Sequence, residues 1–175
     1  GAEIELVSMV AREYRLQKAL TSYLTEEPAD VVLIDCPPSL GLLTLNALVA
    51  AEEILIPIQC EYYALEGLGQ LIRTVEMVTQ HLNPGLHISA ILLTMTDSRT
   101  RLSDQVADDV RGFFGDLVLK TAIPRSVRLS EAPGYGRSGL AYDTNAPGSQ
   151  AYRAAAQELV ARTIDLRSTT QQVQA

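Results

Sequence analysis

Apolar positions along the chain follow two spacings, one helical and one of short continuous runs. Leu6, Val10, Tyr14, Leu20 and Leu24 fall near helical spacing, predicting an amphipathic helix over residues 5–24 that stops before Glu26-Glu27-Pro28. Val31, Val32, Leu33 and Ile34 form an unbroken apolar run closed by Asp35. This reads as a buried strand that delivers one carboxylate to its carboxyl end. An apolar helix over 42–51 follows, then a strand over 54–58. A helix over 64–81 ends at Asn83-Pro84-Gly85, and 88–95 is a second buried strand. A loop at 96–101 leads to a polar-faced helix over 102–114, and 117–123 reads as a strand. Pro124 opens an irregular Gly/Pro-rich segment that runs to Gly148. The last helix is expected over 150–166, and residues 167–175 form a polar tail.

Strands alternating with helices predict the α/β class: a mainly parallel sheet with helices on both faces. Ligands of such sheets sit at the carboxyl ends of the strands, where Asp35, residues 59–63, 95–101 and 124–131 all fall. With 175 residues and 47% apolar content the chain has enough material for one sizeable core. No run approaches the roughly 18 apolar residues of a membrane helix, and the opening lacks a basic signal region. A soluble, intracellular protein is expected. Cys36 and Cys60 each end a strand-like run, so both are expected to be reduced core residues, and with His81 and His87 they form no metal-ligand spacing.

A net charge of -7 argues against a general polyanion binder, but the charge is uneven. Seven basic residues between Arg99 and Arg137 (Arg99, Arg101, Arg111, Lys120, Arg125, Arg128, Arg137) stand against Asp104, Asp108, Asp109, Asp116 and Glu131, a local excess of two. That contrast permits a basic face on an acidic molecule. Glu61 and Glu66 offer a pair of carboxylates, but nothing around them supports acid/base catalysis on a sugar.

The run VVLIDCPPSLG has the form of a nucleotide-site strand, yet neither G-x-x-x-x-G-K-[ST] nor G-x-G-x-x-G occurs in the sequence. Extended through VVLIDCPPSLGLLTLNALVAAEEILIPIQCEYYALEGL, ILLTMTDSRT and IPRSVRLSEAPGYG, the chain resembles the ParA/Soj-type chromosome and plasmid partition ATPases from about Gly1 to Arg162. Members of that family carry a strand, a deviant phosphate loop with two lysines and a first switch ahead of the part resembled here. Residues 1–166 are therefore expected to be the C-terminal portion of a single partition-ATPase domain.

The resemblance implies ATP and magnesium as cofactors of the intact protein. Asp35 matches the aspartate that helps hold magnesium, commonly through a water, and Pro37 lies in the matching second switch. Thr94, Met95, Pro124 and Arg125 match the adenine side. Arg99 and Arg128 match arginines that contact double-stranded DNA nonspecifically across a nucleotide-bound homodimer. A centromere-binding ParB-type protein is the implied partner, no membrane is implied, and the location is cytoplasmic and nucleoid-associated. This chain alone, without the phosphate-loop lysines, is expected to be inactive. Alternatives are a non-enzymatic interaction or dimerisation module, or a MinD-type division-site relative, which the uncharged tail disfavours. A strand at 31–35 without its neighbour is expected to leave unpaired amides and apolar surface, hence marginal stability or self-association.

Overall fold

The computed structural model describes residues 2–37 and 39–173, with side chains described for 5–37 and 39–162. Glu53–Gln59 forms strand β1 and His87–Thr94 forms β2. The His87 amide donates to the Glu52 carbonyl at one end and the Cys60 amide to the Thr94 carbonyl at the other, each at 3.2 Å. Residue numbers rise together on both strands, so the pair is parallel. Ile56 and Ile58 are buried at alternate positions of β1, whereas Ala90, Ile91, Leu92 and Leu93 of β2 are buried in succession. Consecutive burial marks a strand covered on both sides, as the parallel α/β class requires.

The expected strand at 117–123 is a broken lane beside β2. The Leu119 amide bonds the Ile91 carbonyl and the Ile123 amide bonds the Leu93 carbonyl, both at 2.8 Å. Four residues on one side thus span two on the other, and only isolated parallel bridges, Ile91 with Val118 and Thr96 with Pro124, remain. The cause is a competing acceptor: the Lys120 and Thr121 amides turn to the Glu158 carboxylate, at 2.8 and 3.0 Å.

Residues 31–35 form no strand either. Val31, Val32 and Leu33 are exposed, and Asp35 stands on irregular backbone. An apolar run becomes a strand only beside a partner, and none of the described residues supplies one. For the same reason Cys36 is exposed rather than a core residue; its thiol donates to the Ile34 carbonyl at 3.7 Å.

The chain divides into two compact units: residues up to Ile54 with Glu66–Ser89, and Leu55–Leu65 with Ala90 onward. In the first, the expected single helix over 5–24 is two: α1, Ala2–Val7, and α2, Arg15–Glu26. Between them Ala11 takes φ 50° and residues 12–14 make a 3-10 turn; the Arg12 guanidinium caps the Val7 carbonyl at 3.2 Å. Helix α3, Leu42–Ala50, and helix α4, Ala64–His81, follow the sequence pattern closely. Leu48, Val49, Val75, Val78 and Leu86 form the core of this unit. The Asn83 amide donates to the Leu48, Val49 and Ala51 carbonyls at 3.1, 3.2 and 2.7 Å, satisfying the carbonyls at the end of α3.

In the second unit α5, Arg101–Phe114, starts at Thr100, whose hydroxyl accepts from the Ser103 amide at 3.4 Å. The segment expected to be irregular holds two short helices, α6, Val127–Glu131, and α7, Gly139–Tyr142. Leu129 of α6 lies so close to Gly139 and Gly148 that a Cβ at either would collide with it. The last helix, α8, covers Pro147–Val173, since nothing after Gly148 in that range breaks a helix. Ala90, Leu92, Leu119, Ile123 and Ala155 form the core here.

Glu158 ties α8 to the broken lane. Burial pushes its carboxyl up, but the Thr121 and Lys120 amides and the Arg162 guanidinium outweigh that and hold it at about 2, against an ordinary 4.5. Its contribution is therefore complete above pH 4.5 and is lost as pH falls toward 2. Glu158→Gln is expected to cost about 1–3 kcal/mol at pH 7. In urea unfolding followed by circular dichroism, the gap between the two proteins should narrow as pH falls below 4.5.

Candidate functional site

Three chain segments at the carboxyl ends of β1, β2 and the broken lane meet in the second unit. The Cys60 amide bonds the Thr94 carbonyl at 3.2 Å, and the Thr94 hydroxyl donates to the Ile58 carbonyl at 3.0 Å. Two residues further, the Thr96 amide donates to the Ile123 carbonyl at 3.1 Å and the Arg125 amide to the Thr96 carbonyl at 3.0 Å. Thr94, Met95, Pro124 and Arg125 are thus brought together at these strand ends. The Thr94 hydroxyl proton is already committed to the Ile58 carbonyl, so toward a ligand the hydroxyl can only accept.

Met95 is the turning point. Its φ is 54°, a left-handed conformation uncommon for a side chain of its size, and it is more than a third exposed. Such backbone persists where the surroundings over-determine it, and here the bonds at Thr94 and Thr96 fix both sides. It ends β2 and presents the thioether at the strand terminus, where a soft apolar group suits a planar ring.

Charged groups around these strand ends are paired. The Arg125 guanidinium donates to the Glu61 carboxylate at 3.3 Å. Arg99, on the loop after β2, makes a fork with Asp97: Nε to Oδ1 at 2.8 Å and Nη2 to Oδ2 at 2.7 Å, while its amide also bonds Oδ1 at 3.1 Å. The Arg99 guanidinium and amide hold the Asp97 carboxyl well below the usual carboxylate range. Arg128 lies in α6 rather than in a loop; its Nη1 donates to Glu131 at 3.1 Å, and its Nε is 3.8 Å from Asp143. Glu61, Asp97 and Asp143 were not recognised as partners from sequence. Two of the four pairings had a local signal, Asp-x-Arg in 97–99 and Arg-x-x-Glu in 128–131, the latter at helical spacing.

In the first unit Asp35 and Pro37 lie on the exposed segment before α3. The Thr44 hydroxyl holds the turn that follows, with the Ser39 carbonyl at 2.6 Å and the Pro37 carbonyl at 3.5 Å. Among the described residues no group of three or more His, Cys, Asp or Glu side chains is arranged to hold a metal. A single exposed carboxylate suits magnesium, which keeps several waters and shares its shell with phosphate oxygens, better than a cation needing a full protein cage. Burial and the neighbouring Asp35 carboxylate push the Cys36 thiol up, so it is no activated nucleophile. No helix among the described residues is long and apolar enough to cross a membrane.

A family model described as an AAA domain matches residues 1–88. The sporulation initiation inhibitor protein Soj of Bacillus subtilis is 53% identical over 161 residues, 92% of this chain and 63% of its own length. The chain belongs to the Soj/ParA family of AAA-domain proteins. The chromosome-partitioning ATPase Soj of Treponema pallidum is 49% identical over 93% of this chain and 63% of its own. The chain thus spans about three fifths of the length of these relatives. Among solved structures, cobyrinic acid a,c-diamide synthase of Mycobacterium smegmatis, with bound ADP and magnesium, is 43% identical with a TM-score of 0.64, over 81% of this chain and 54% of that one. The cell division ATPase MinD of Pyrococcus furiosus, at 22% identity and a TM-score of 0.65 over 88% of this chain and 59% of that one, shares the fold.

The left-handed backbone at Met95 predicts an unusual tolerance. Met95→Gly is expected to leave stability within about 0.5 kcal/mol of the parent, because relief at positive φ offsets the entropy of glycine. Leu93→Ala, two residues earlier and fully buried, is expected to cost about 3 kcal/mol. Thermal unfolding of the two variants measures the contrast.

Proposed function

We propose that this chain is the C-terminal part of an ATP-dependent DNA-partitioning switch, in which nucleotide drives dimerisation and the dimer binds DNA without sequence preference. The single observation that carries the reading is the 53% identity to Soj over 92% of the chain. On this reading Asp35 would hold magnesium through a water, with Pro37 fixing the backbone beside the terminal phosphate. Magnesium held there would supply charge neutralisation to the nucleotide phosphates. Met95 would pack on the adenine, with Thr94, Pro124 and Arg125 shaping the same side; the hydrogen bonds joining 94–96 to 123–125 support that grouping.

Arg99 and Arg128 would contact DNA phosphates, a role that needs charge and reach rather than base-edge complementarity. The partner would be a ParB-type centromere-binding protein, and the location cytoplasmic and nucleoid-associated. Phosphoryl transfer in this class depends on phosphate-loop lysines, and the 175 residues contain no such motif. The chain by itself is therefore expected to act as a binding module without turnover.

Two measurements test this. Purified chain with ATP and magnesium should show no hydrolysis above background; magnesium-dependent turnover that disappears in Asp35→Ala overturns the expectation. In a salt titration with random-sequence duplex, an Arg99→Ala/Arg128→Ala variant should bind more weakly, with a log–log salt slope shallower by about two. Unchanged affinity and slope would remove the DNA reading.

A further inference from the structure

We propose that Asp97 and Glu131 are internal competitors for DNA phosphate, holding Arg99 and Arg128 in ion pairs that a polyanion must displace. The inference rests on the reading of these arginines as DNA contacts, and it assigns roles to two carboxylates that the reading leaves unused.

The geometry at Arg99 carries it furthest. Two guanidinium nitrogens, Nε and Nη2, sit on the two Asp97 oxygens at 2.8 and 2.7 Å, the planar fork that a guanidinium also offers to a phosphate. One of the two edges that can take phosphate oxygens in a fork, Nε with Nη2, is therefore occupied. Asp97 is held for the task by the Arg99 amide, and the Asp97 amide in turn donates to the Ser103 hydroxyl at 3.1 Å. Arg128 is covered from a different side. Glu131 accepts its Nη1, Asp143 stands 3.8 Å from its Nε, and the Tyr142 hydroxyl donates to the same Glu131 oxygen at 3.3 Å. Tyr142 stacks on Tyr135 with ring centroids 5.1 Å apart, so the acceptor is braced by α7 rather than free to swing.

The arginine sides of both pairs are solvent-exposed, 82% for Arg99 and 59% for Arg128, while Asp97 is half-buried at 19% and Glu131 is 40% accessible. Exposed ion pairs are weak, so each is a shallow mask and not a lock. A run of phosphates can displace both carboxylates, since it engages several cations at once. An isolated anion competes with one carboxylate at a time. The device would favour long DNA over mononucleotides and short anions at the same surface.

The test is a double-mutant cycle on binding to random-sequence duplex. Asp97→Asn keeps the oxygen that accepts the Arg99 amide, and Glu131→Gln keeps an oxygen for Tyr142, so both remove charge with little cost to the fold. Thermal melting of each variant verifies that. Asp97→Asn is expected to tighten DNA binding about two- to fivefold. The gain should vanish when Arg99→Ala is also present. Glu131→Gln should behave likewise against Arg128→Ala. Asp109→Asn, the same charge change on the exposed face of α5, should give less than a twofold gain. Gains no larger than that of Asp109→Asn, or gains that persist without the arginines, would overturn the mask while leaving the DNA reading intact. Parent-like binding by Arg99→Ala/Arg128→Ala would overturn both.

Discussion

The hydrogen bonds at the carboxyl end of β2 are the constraint on which the candidate nucleotide side depends. Thr94 is held to β1 through Cys60 and Ile58, and Thr96 is held to the broken lane through Ile123 and Arg125. Met95 lies between these two anchors and takes the left-handed backbone that links them. A residue so placed has no freedom to move independently of either neighbour. Groups from three separate stretches of sequence are therefore fixed relative to one another by main-chain bonds and one threonine hydroxyl.

The broken lane shows how such a constraint can coexist with an imperfect ladder. Two extra residues between the Ile91 and Leu93 contacts would leave the Lys120 and Thr121 amides without partners in the ladder. Glu158 accepts both, and the Arg162 guanidinium balances its charge while donating to the Asp116, Leu117 and Val118 carbonyls. One ion pair on α8 therefore replaces the missing ladder bonds. It also sets the phase of the lane, so that Ile123 and Pro124 arrive opposite Leu93 and Thr96. The helix thus acts on the candidate site at a distance, through register.

Most of this architecture was legible in the sequence where periodicity and burial agree. Helices α3, α4 and α5 and strands β1 and β2 fall within a residue or two of the pattern, because each buries a face against neighbours in the chain. The failures share one cause. Val31–Ile34 is as apolar as β2, but strand formation is a property of a pair, and the described residues include no partner for it. Residues 117–123 read as a strand because an apolar run does not reveal a carboxylate 38 residues away that captures two of its amides. The grouping of Thr94, Met95, Pro124 and Arg125 followed from family resemblance; the left-handed turn that brings it about has no sequence signal, since methionine rarely adopts it.

Charge was the least legible property, and the reason is physical. Counting residues gave the segment from Arg99 to Arg137 a basic excess, but the count excluded Asp97, the one carboxylate that binds Arg99. Arg125 draws its partner from Glu61, far off in sequence, and Arg128 draws one of two from Asp143. A guanidinium held in a fork presents a dipole rather than a charge to an approaching ligand, and its field falls off faster with distance. The effective surface is thus closer to neutral than its composition, and any affinity for a polyanion must come from exchange of partners at contact rather than from long-range steering. Glu61, Asp97, Glu131 and Asp143 thus take up the charge of Arg125, Arg99 and Arg128 on a chain of net charge -7, and DNA binding of the kind proposed would draw its energetics from short-range exchange of these partners.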